Sequence, residues 1–192
     1  FTDILVSTDC PKIANEAKKY GASVPFLRPD EISGDLIGDI DVLIHGLVNY
    51  EKFSRKKYDY LAMIQPTSPM RKIEDLQLGY ETIKHDKYDA VWSVTVADKK
   101  YHPLKLLKMD QNYNLELYDE RGNEVIARQQ LEDFYVRNGN FYFFCCDHIK
   151  HKKSIYAKKF KAIVQENFQI SIDIMSDLKA ARTHFRKEND GI

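Results

Sequence analysis

The sequence predicts an α/β fold: a mostly parallel sheet flanked by helices, carrying an α+β insertion. Three observations carry that reading. Short apolar runs alternate with amphipathic helical periods from Ile4 to Ala97, the pattern of a sheet covered on both faces. From about residue 98 to about residue 160 the pattern breaks into short strands and turns, before a last strand–helix segment. The 192 residues, 43% hydrophobic and 30% charged, suffice for one domain with its own core.

Each element has a local cause. Ile4–Val6 form a short buried run. Thr8 or Asp9 then offers a helix cap, Pro11 fits a first turn, and Gly21 is placed to end the helix in a left-handed conformation. The stretch "SVPFLRPDEISGDLIGD" has several breakers and no period, so it predicts a loop. Ile40, Leu43, Ile44, Leu47 and Val48 recur at helical spacing. "YDYLAMI" predicts a strand, Lys72–His85 a helix, and "DAVWSVTVA" a further strand. Two short strands flank a turn at Asp110–Asn114, "NFYFFCC" is another strand, and "SIDIMSDLKAARTHF" predicts a strand entering a helix capped at Ser176 or Asp177.

Composition excludes several classes. Lys+Arg and Asp+Glu are 29 each, which argues against a dedicated nucleic-acid binder. The basic stretch "HIKHKKSIYAKKFK" is broken by Ile155, Tyr156 and Phe160, and reads as a solvated loop or helix face. No apolar run reaches the ~20 residues of a membrane helix, and no secretory signal pattern is visible. Cys10, Cys145 and Cys146 are odd in number and two are adjacent, which points to a reducing, cytoplasmic setting.

Ligands of open parallel sheets bind beyond the C-terminal ends of strands. The polar residues expected there are Ser7, Thr8 and Asp9; Gln65, Thr67 and Ser68; His102 and Lys105; Asn138 and Gly139; and Asp173. Singly, each reads as a turn or cap residue. Together they set amide, hydroxyl, ammonium and carboxylate groups on one rim. Asp173 lies between Ile172 and Ile174, so in a buried strand it would need a cation or N–H donors. Arg28, Arg71, Arg128 and Arg137 sit in loops, where a planar fork suits phosphate or carboxylate. Arg71 reads as a surface residue.

These stretches resemble the CMP-sialic acid synthetases (N-acylneuraminate cytidylyltransferases) over nearly the whole chain. The residues carrying the resemblance are "VSTD" at 6–9, "YGASVPFLRPDEISGD" at 20–35, "QPTSPMR" at 65–71, "HPLK" at 102–105, "RQQL" at 128–131, "NGNFY" at 138–142 and "SIDIMSD" at 171–177. The resemblance implies a Rossmann-like nucleotidyltransferase that joins CTP to a nine-carbon 2-keto sugar acid and releases pyrophosphate, with Mg2+ as cofactor. It implies that Gln65, Thr67 and Ser68 lie at the sugar, with Asn138 and Tyr142 lining the same site. It implies that Arg28 serves the nucleotide and that Asp173 binds the metal. Lys105 and Arg128 would act as a cationic pair lent by the partner of a homodimer, with the insertion as the dimerisation arm. That arm's aromatics, Tyr101, Phe134, Tyr135, Phe141, Phe143 and Phe144, suit an obligate interface.

The sequence also departs from the family. Ser171 replaces the first aspartate of its "DID" segment, Val136 stands where an arginine is usual, with Arg137 one step along, and Asp39 replaces a small hydroxyl residue and reads as a helix cap. The family's opening strand, phosphate loop and helix have no match here. The expectation is therefore a fragment lacking its N-terminal phosphate-loop unit and inactive by itself. A non-catalytic sugar-acid-binding or regulatory module is the alternative, as is a synthetase for a related acid: KDO, legionaminate or pseudaminate.

Overall fold

The computed structural model describes residues 1–166 and 170–190. Its helices are α1 (Pro11–Lys19), α2 (Asp39–Ser54), α3 (Ile73–Asp86), α4 (Cys146–Lys152) and α5 (Met175–Asp190). Its strands are β1 (Tyr60–Met63), β2 (Ala90–Val96), β3 (Leu107–Met109), β4 (Leu115–Leu117), β5 (Tyr135–Cys145) and β6 (Phe160–Val164). Four strands are ordered β1-β5-β2-β6, while β3 and β4 form a separate hairpin. β5 is antiparallel to β1, with Tyr60 opposite Cys145 and Met63 opposite Tyr142. It also runs against β2, since Cys145 N–H donates to Asp89 O and Ala97 N–H to Phe134 O. β2 and β6 run together, through Asp89 N–H to Lys159 O and Gln165 N–H to Val94 O. Three of the four strands therefore share one direction.

The chain divides into two compact units. The first comprises Phe1–Ile64, Ile73–Val91 and Phe141–Lys161; the second comprises Gln65–Lys72, Trp92–Asn140 and Ala162–Ile192. Of the stretch expected as an insertion, residues 98–140 thus fall in the second unit and 141–160 in the first.

In the first unit, α1 begins at Pro11 with Cys10 as its cap residue, and Thr8 Oγ1 accepts the Cys10 N–H at 3.1 Å. Gly21, with φ of 85°, closes the helix by donating to Lys18 O. α2 starts after Gly38, so Asp39 is a first-turn carboxylate facing the positive helix end. The core is built on Ile83, Ala90, Val91, Phe141, Phe143, Phe144, Cys146 and Ile149, all at most 1% exposed. Phe141, Phe143 and Phe144 thus fill this core, whereas Tyr101, Phe134 and Tyr135 are exposed. Burial pushes the Cys146 thiol up to about 12, so it stays a protonated core side chain. Gly79 permits the approach of α3 to β5: a Cβ there would lie 2.6 Å from the Phe143 ring and 2.8 Å from that of Phe141.

Glu51 on α2 is buried, 6% exposed. It accepts from Lys150 of α4 at 2.6 Å and from Lys57 at 2.7 Å. Burial opposes its ionisation, but the two lysine hydrogen bonds outweigh that and hold its carboxyl below the ordinary value of 4.5. Lys150 is 23% exposed and Lys57 84%, so Lys150 is the less screened partner. Lys150→Met is expected to cost about 1–3 kcal/mol in urea unfolding by leaving a buried acceptor short of a donor, against about 0–1 kcal/mol for Lys57→Met. Because the folded pKa is depressed, the Glu51 contribution is present above about pH 4.5 and is lost as pH falls through the folded value. Glu51→Gln should flatten the stability curve in that acid window and nowhere else.

Four local expectations differ from what the chain forms. Ile4–Val6 makes only an isolated parallel bridge, Leu5 to Ser23. α4 follows β5 directly and takes Cys146 from the expected strand, its residues 148–152 lying in the stretch read as a loop or helix face. Strand β6, last in the sheet order and mostly exposed, begins in the last two residues of the lysine-rich stretch, Phe160 and Lys161. Charged side chains are a common guard on such edges, and Lys158, Lys159 and Lys161 around its start masked its strand character. Residues 171–174 are not a strand, because Asp177 Oδ2 accepts the N–H groups of Asp173 and Ile174, both at 3.0 Å, and turns the chain into α5. Among the described residues no helix is long and apolar enough to cross a membrane.

Candidate functional site

The second unit gathers three segments that lie far apart in the sequence. The loop Gln65–Arg71 leaves β1 and is fixed internally by Ser68 N–H donating to Gln65 O at 3.2 Å. Its prolines, Pro66 and Pro69, bracket Thr67 and Ser68. Each fixes φ near −65°, so little freedom remains to be lost on binding. Ser68 Oγ, 1% exposed, donates to Asn138 O at 3.2 Å. Arg71 Nε donates to Asn140 O at 2.7 Å, and its Nη2 to Gln65 O at 2.9 Å. On the third segment, Ile172 N–H donates to Thr67 O at 2.8 Å, bringing the residue before Asp173 onto the loop.

Gly139 is the contact point between loop and strand. Its φ is 72°, a conformation that favours glycine, and a Cβ there would sit 2.5 Å from Ser68 Oγ and 2.6 Å from Gln65 Oε1. The Gln65 amide therefore rests against the bare Cα of Gly139. Thr67 and Gln65 are both part-exposed, with side chains able to meet a ligand.

Asn138 has a different environment from that of a rim residue. Its Oδ1 accepts from Ser93 Oγ at 2.6 Å and from Asn140 N–H at 3.1 Å. Its Nδ2 donates to Thr95 Oγ1 at 3.0 Å and to Gln165 Oε1 at 2.8 Å. Those bonds use the hydrogen-bonding capacity of the side chain. Gln165 Oε1 also accepts from Asn140 Nδ2 at 2.9 Å, so buried amides brace the strand beneath the loop. Spacing alone gave no sign of Gln165, Ser93 or Thr95. Arg137 stacks over Trp92, 5.4 Å from the ring centroid. Arg71, expected as a surface arginine, is half-buried and joins two backbone carbonyls.

Lys105 and Arg128 also meet in the second unit. They line one cavity of about 300 Å³ with Leu104, Leu117, Val125 and Leu131. Lys105 closes a short 3₁₀ turn whose preceding residue, His102, accepts the Leu104 N–H through Nδ1 at 3.1 Å. His102 is 3% exposed and packs edge-on to Phe134 at 4.4 Å, which sets that turn. Arg128 is 69% exposed, with Nη2 3.8 Å from Asp98 Oδ1. Lys105 is likewise an exposed residue.

Asp173 is exposed, so it lacks the burial that a strand position would have imposed. Among the described residues its carboxylate makes no hydrogen bond or ion pair, and no three His, Cys, Asp or Glu residues gather as a metal cage. Magnesium takes one or two protein carboxylates and fills its other positions with water and substrate phosphate. A single accessible carboxylate fits that demand. Ser171, also exposed, adds a hydroxyl but no charge.

Two expected site residues belong to the first unit. Arg28 Nε donates to Ser33 Oγ at 3.2 Å, its Nη2 is 3.6 Å from Asp9 Oδ1, and its backbone N–H bonds Thr8 O. Tyr142 is 4% exposed in β5, opposite Met63, a core position.

The sequence model of the cytidylyltransferase family matches residues 1–188. The chain is 30% identical over 184 residues to the CMP-N,N'-diacetyllegionaminic acid synthase of Legionella pneumophila, covering 94% of this chain and 76% of that protein. It is 22% identical over 191 residues to a pseudaminic acid cytidylyltransferase of Campylobacter jejuni, covering 99% of this chain and 81% of that one. Among solved structures, a CMP:2-keto-3-deoxy-manno-octonic acid synthetase complexed with CTP superposes with a TM-score of 0.64 at 10% identity, over 97% of this chain and 82% of the other, a likeness of fold.

Proposed function

Because this chain belongs to the cytidylyltransferase family and is a CTP-dependent nucleotidyltransferase, we propose that it activates a nine-carbon 2-keto sugar acid as its CMP-sugar. The anomeric hydroxyl of the acid attacks the α-phosphorus of CTP in line. An O–P bond forms, the bond to the bridging oxygen breaks, pyrophosphate leaves, and the hydroxyl proton is lost. Catalysis of such a transfer rests on positioning and on cations for the phosphoryl oxygens.

The observation that carries this reading is the junction of Gln65–Arg71, Asn138–Asn140 and Ile172–Asp173. Gln65 and Thr67 present an amide and a hydroxyl to the sugar from a stiff loop, with Ser68 locking the loop to β5. Asn138 acts from beneath, by bracing Gly139, and Tyr142 acts as a core support of the same strand. Arg28 serves the nucleotide. Lys105 and Arg128 form the cationic pair for the sugar carboxylate, supported by their shared cavity. Asp173 holds magnesium, which when bound supplies positive charge to the phosphates.

A homodimer is part of the proposal. The hairpin and the turns around it expose Leu107, Met109, Tyr113, Leu115, Tyr118 and Ile126, the last at 91%, and clustered exposed apolar side chains of this kind suit a protein interface. A cytoplasmic setting is supported by the three free thiols.

The test is pyrophosphate release by the intact protein from CTP with N-acetylneuraminate, legionaminate, pseudaminate or KDO. Release with a nine-carbon acid supports the reading, and binding of the acid without release favours a non-catalytic module. Gln65→Ala is expected to raise KM for the preferred acid about ten-fold, the worth of one or two neutral hydrogen bonds, and to leave KM for CTP nearly unchanged. Equal losses for the two substrates would remove Gln65 from the sugar site.

A further inference from the structure

Arg71 stands out because its surroundings do not neutralise it. The guanidinium is half-buried, and burial pulls its pKa below the ordinary arginine value. Among the described residues no carboxylate pairs with it, although eleven other ion pairs form. A half-buried charge without a counter-ion is costly and is kept where it does something. Two of its N–H groups bridge the carbonyls of Gln65 and Asn140, which belong to different segments. Gln65 O accepts from both Arg71 and Ser68 N–H, so the guanidinium grips the residue whose side chain faces the sugar.

We propose that Arg71 is a positioning residue that pins the Gln65 carbonyl to β5 and leaves a net positive charge under the loop, presetting the site for an acidic sugar. The proposal rests on the cytidylyltransferase reading for its substrate, but its geometric half does not. Lysine cannot replace the bridge: an ammonium is a point donor on a flexible stem, whereas the planar fork reaches two carbonyls at fixed angles. Lysine does keep the charge. The two variants Arg71→Lys and Arg71→Gln therefore separate pinning from field.

Two readouts decide it on the intact protein. The first is hydrogen exchange, without substrate, at the amides of Ser68 and Ile172, whose acceptors are Gln65 O and Thr67 O. Both variants should exchange at least about ten-fold faster there, as expected for loss of one charge-assisted contact. The amides of Val91 and Phe143 should not change. The second is the pair of KM values. Arg71→Gln should raise KM for the sugar acid about ten-fold or more and leave KM for CTP within about three-fold, with Arg71→Lys recovering part of the loss. Unchanged exchange at both amides in Arg71→Lys overturns the pinning, and that variant decides the matter if Arg71→Gln does not fold. Equal rises in the two KM values, or no recovery with lysine, overturn the electrostatic half. If the wild-type protein turns over no sugar acid, the functional reading fails, and the exchange result alone upholds or overturns the strut.

Discussion

Replacing Gly139 with alanine is expected to reduce affinity for the sugar acid by at least about ten-fold while CTP affinity holds. The left-handed backbone at φ 72° costs a residue bearing a Cβ about 1–2 kcal/mol. The added methyl would also meet Ser68 Oγ at 2.5 Å and Gln65 Oε1 at 2.6 Å, separations that real Cβ atoms do not show. Something must move. Ser68 is 1% exposed and bonded to Asn138 O, so it has little room. The part-exposed Gln65 amide is the group that gives way, and it is the one assigned to the sugar. The variant should therefore melt a few degrees lower and lose sugar binding out of proportion to that loss. Gly34→Ala is the control, because a Cβ there meets nothing within 4 Å. Calorimetric titration of both substrates reads the outcome, and unchanged sugar affinity in a folded Gly139→Ala protein would mean that Gln65 does not serve that site.

Substituting Asp173 by asparagine should lower magnesium-supported turnover by about 100-fold or more, the scale on which one fixed electrostatic group acts at a phosphoryl centre. The expectation follows from Ser171. Residue 171 supplies a hydroxyl and no charge, so Asp173 is the carboxylate the segment offers, since Asp177 spends Oδ2 on two backbone N–H groups. Folding should be unaffected, because the Asp173 side chain is exposed and makes no bond of its own among the described residues. Wild-type activity of Asp173→Asn at ordinary magnesium concentrations would take this residue out of the site.

Much of the fold could be read locally. Pro11 and Gly21 bracket α1, the apolar face from Ile40 to Val48 defines α2, and Asp110 turns the β3–β4 hairpin by accepting the N–H groups of Asn112 and Asn114. Each is decided within a few residues, where capping and periodicity act. Strand order was not legible in the same way. That β5 enters between β1 and β2, against both, depends on partners tens of residues away. Edge strand β6 hid at the end of a lysine-rich stretch, and residues 171–174 lost their strand to a carboxylate that caps from Asp177.

The site shows the same division. The loop "QPTSPMR" announced itself by chemistry, with two prolines, an amide and hydroxyls at the end of an apolar run. Its anchoring did not. Arg71 reads as a surface residue until Asn140 O is found 2.7 Å from its Nε, and Asn138 reads as a ligand group until Ser93, Thr95 and Gln165 are found around it. A side chain's periodicity says which face it takes. Only three-dimensional proximity says whether its polar atoms are already engaged.

The central claim is that the loop Gln65–Arg71, seated on Gly139 and tied to Ile172, holds the sugar acid that receives CMP. A crystal structure of the intact protein with its CMP-sugar product tests this most directly. The account predicts sugar hydroxyl or amide groups within hydrogen-bond distance of the Gln65 and Thr67 side chains, with Gln65 still resting on Gly139. A product bound with its sugar away from both residues would contradict it.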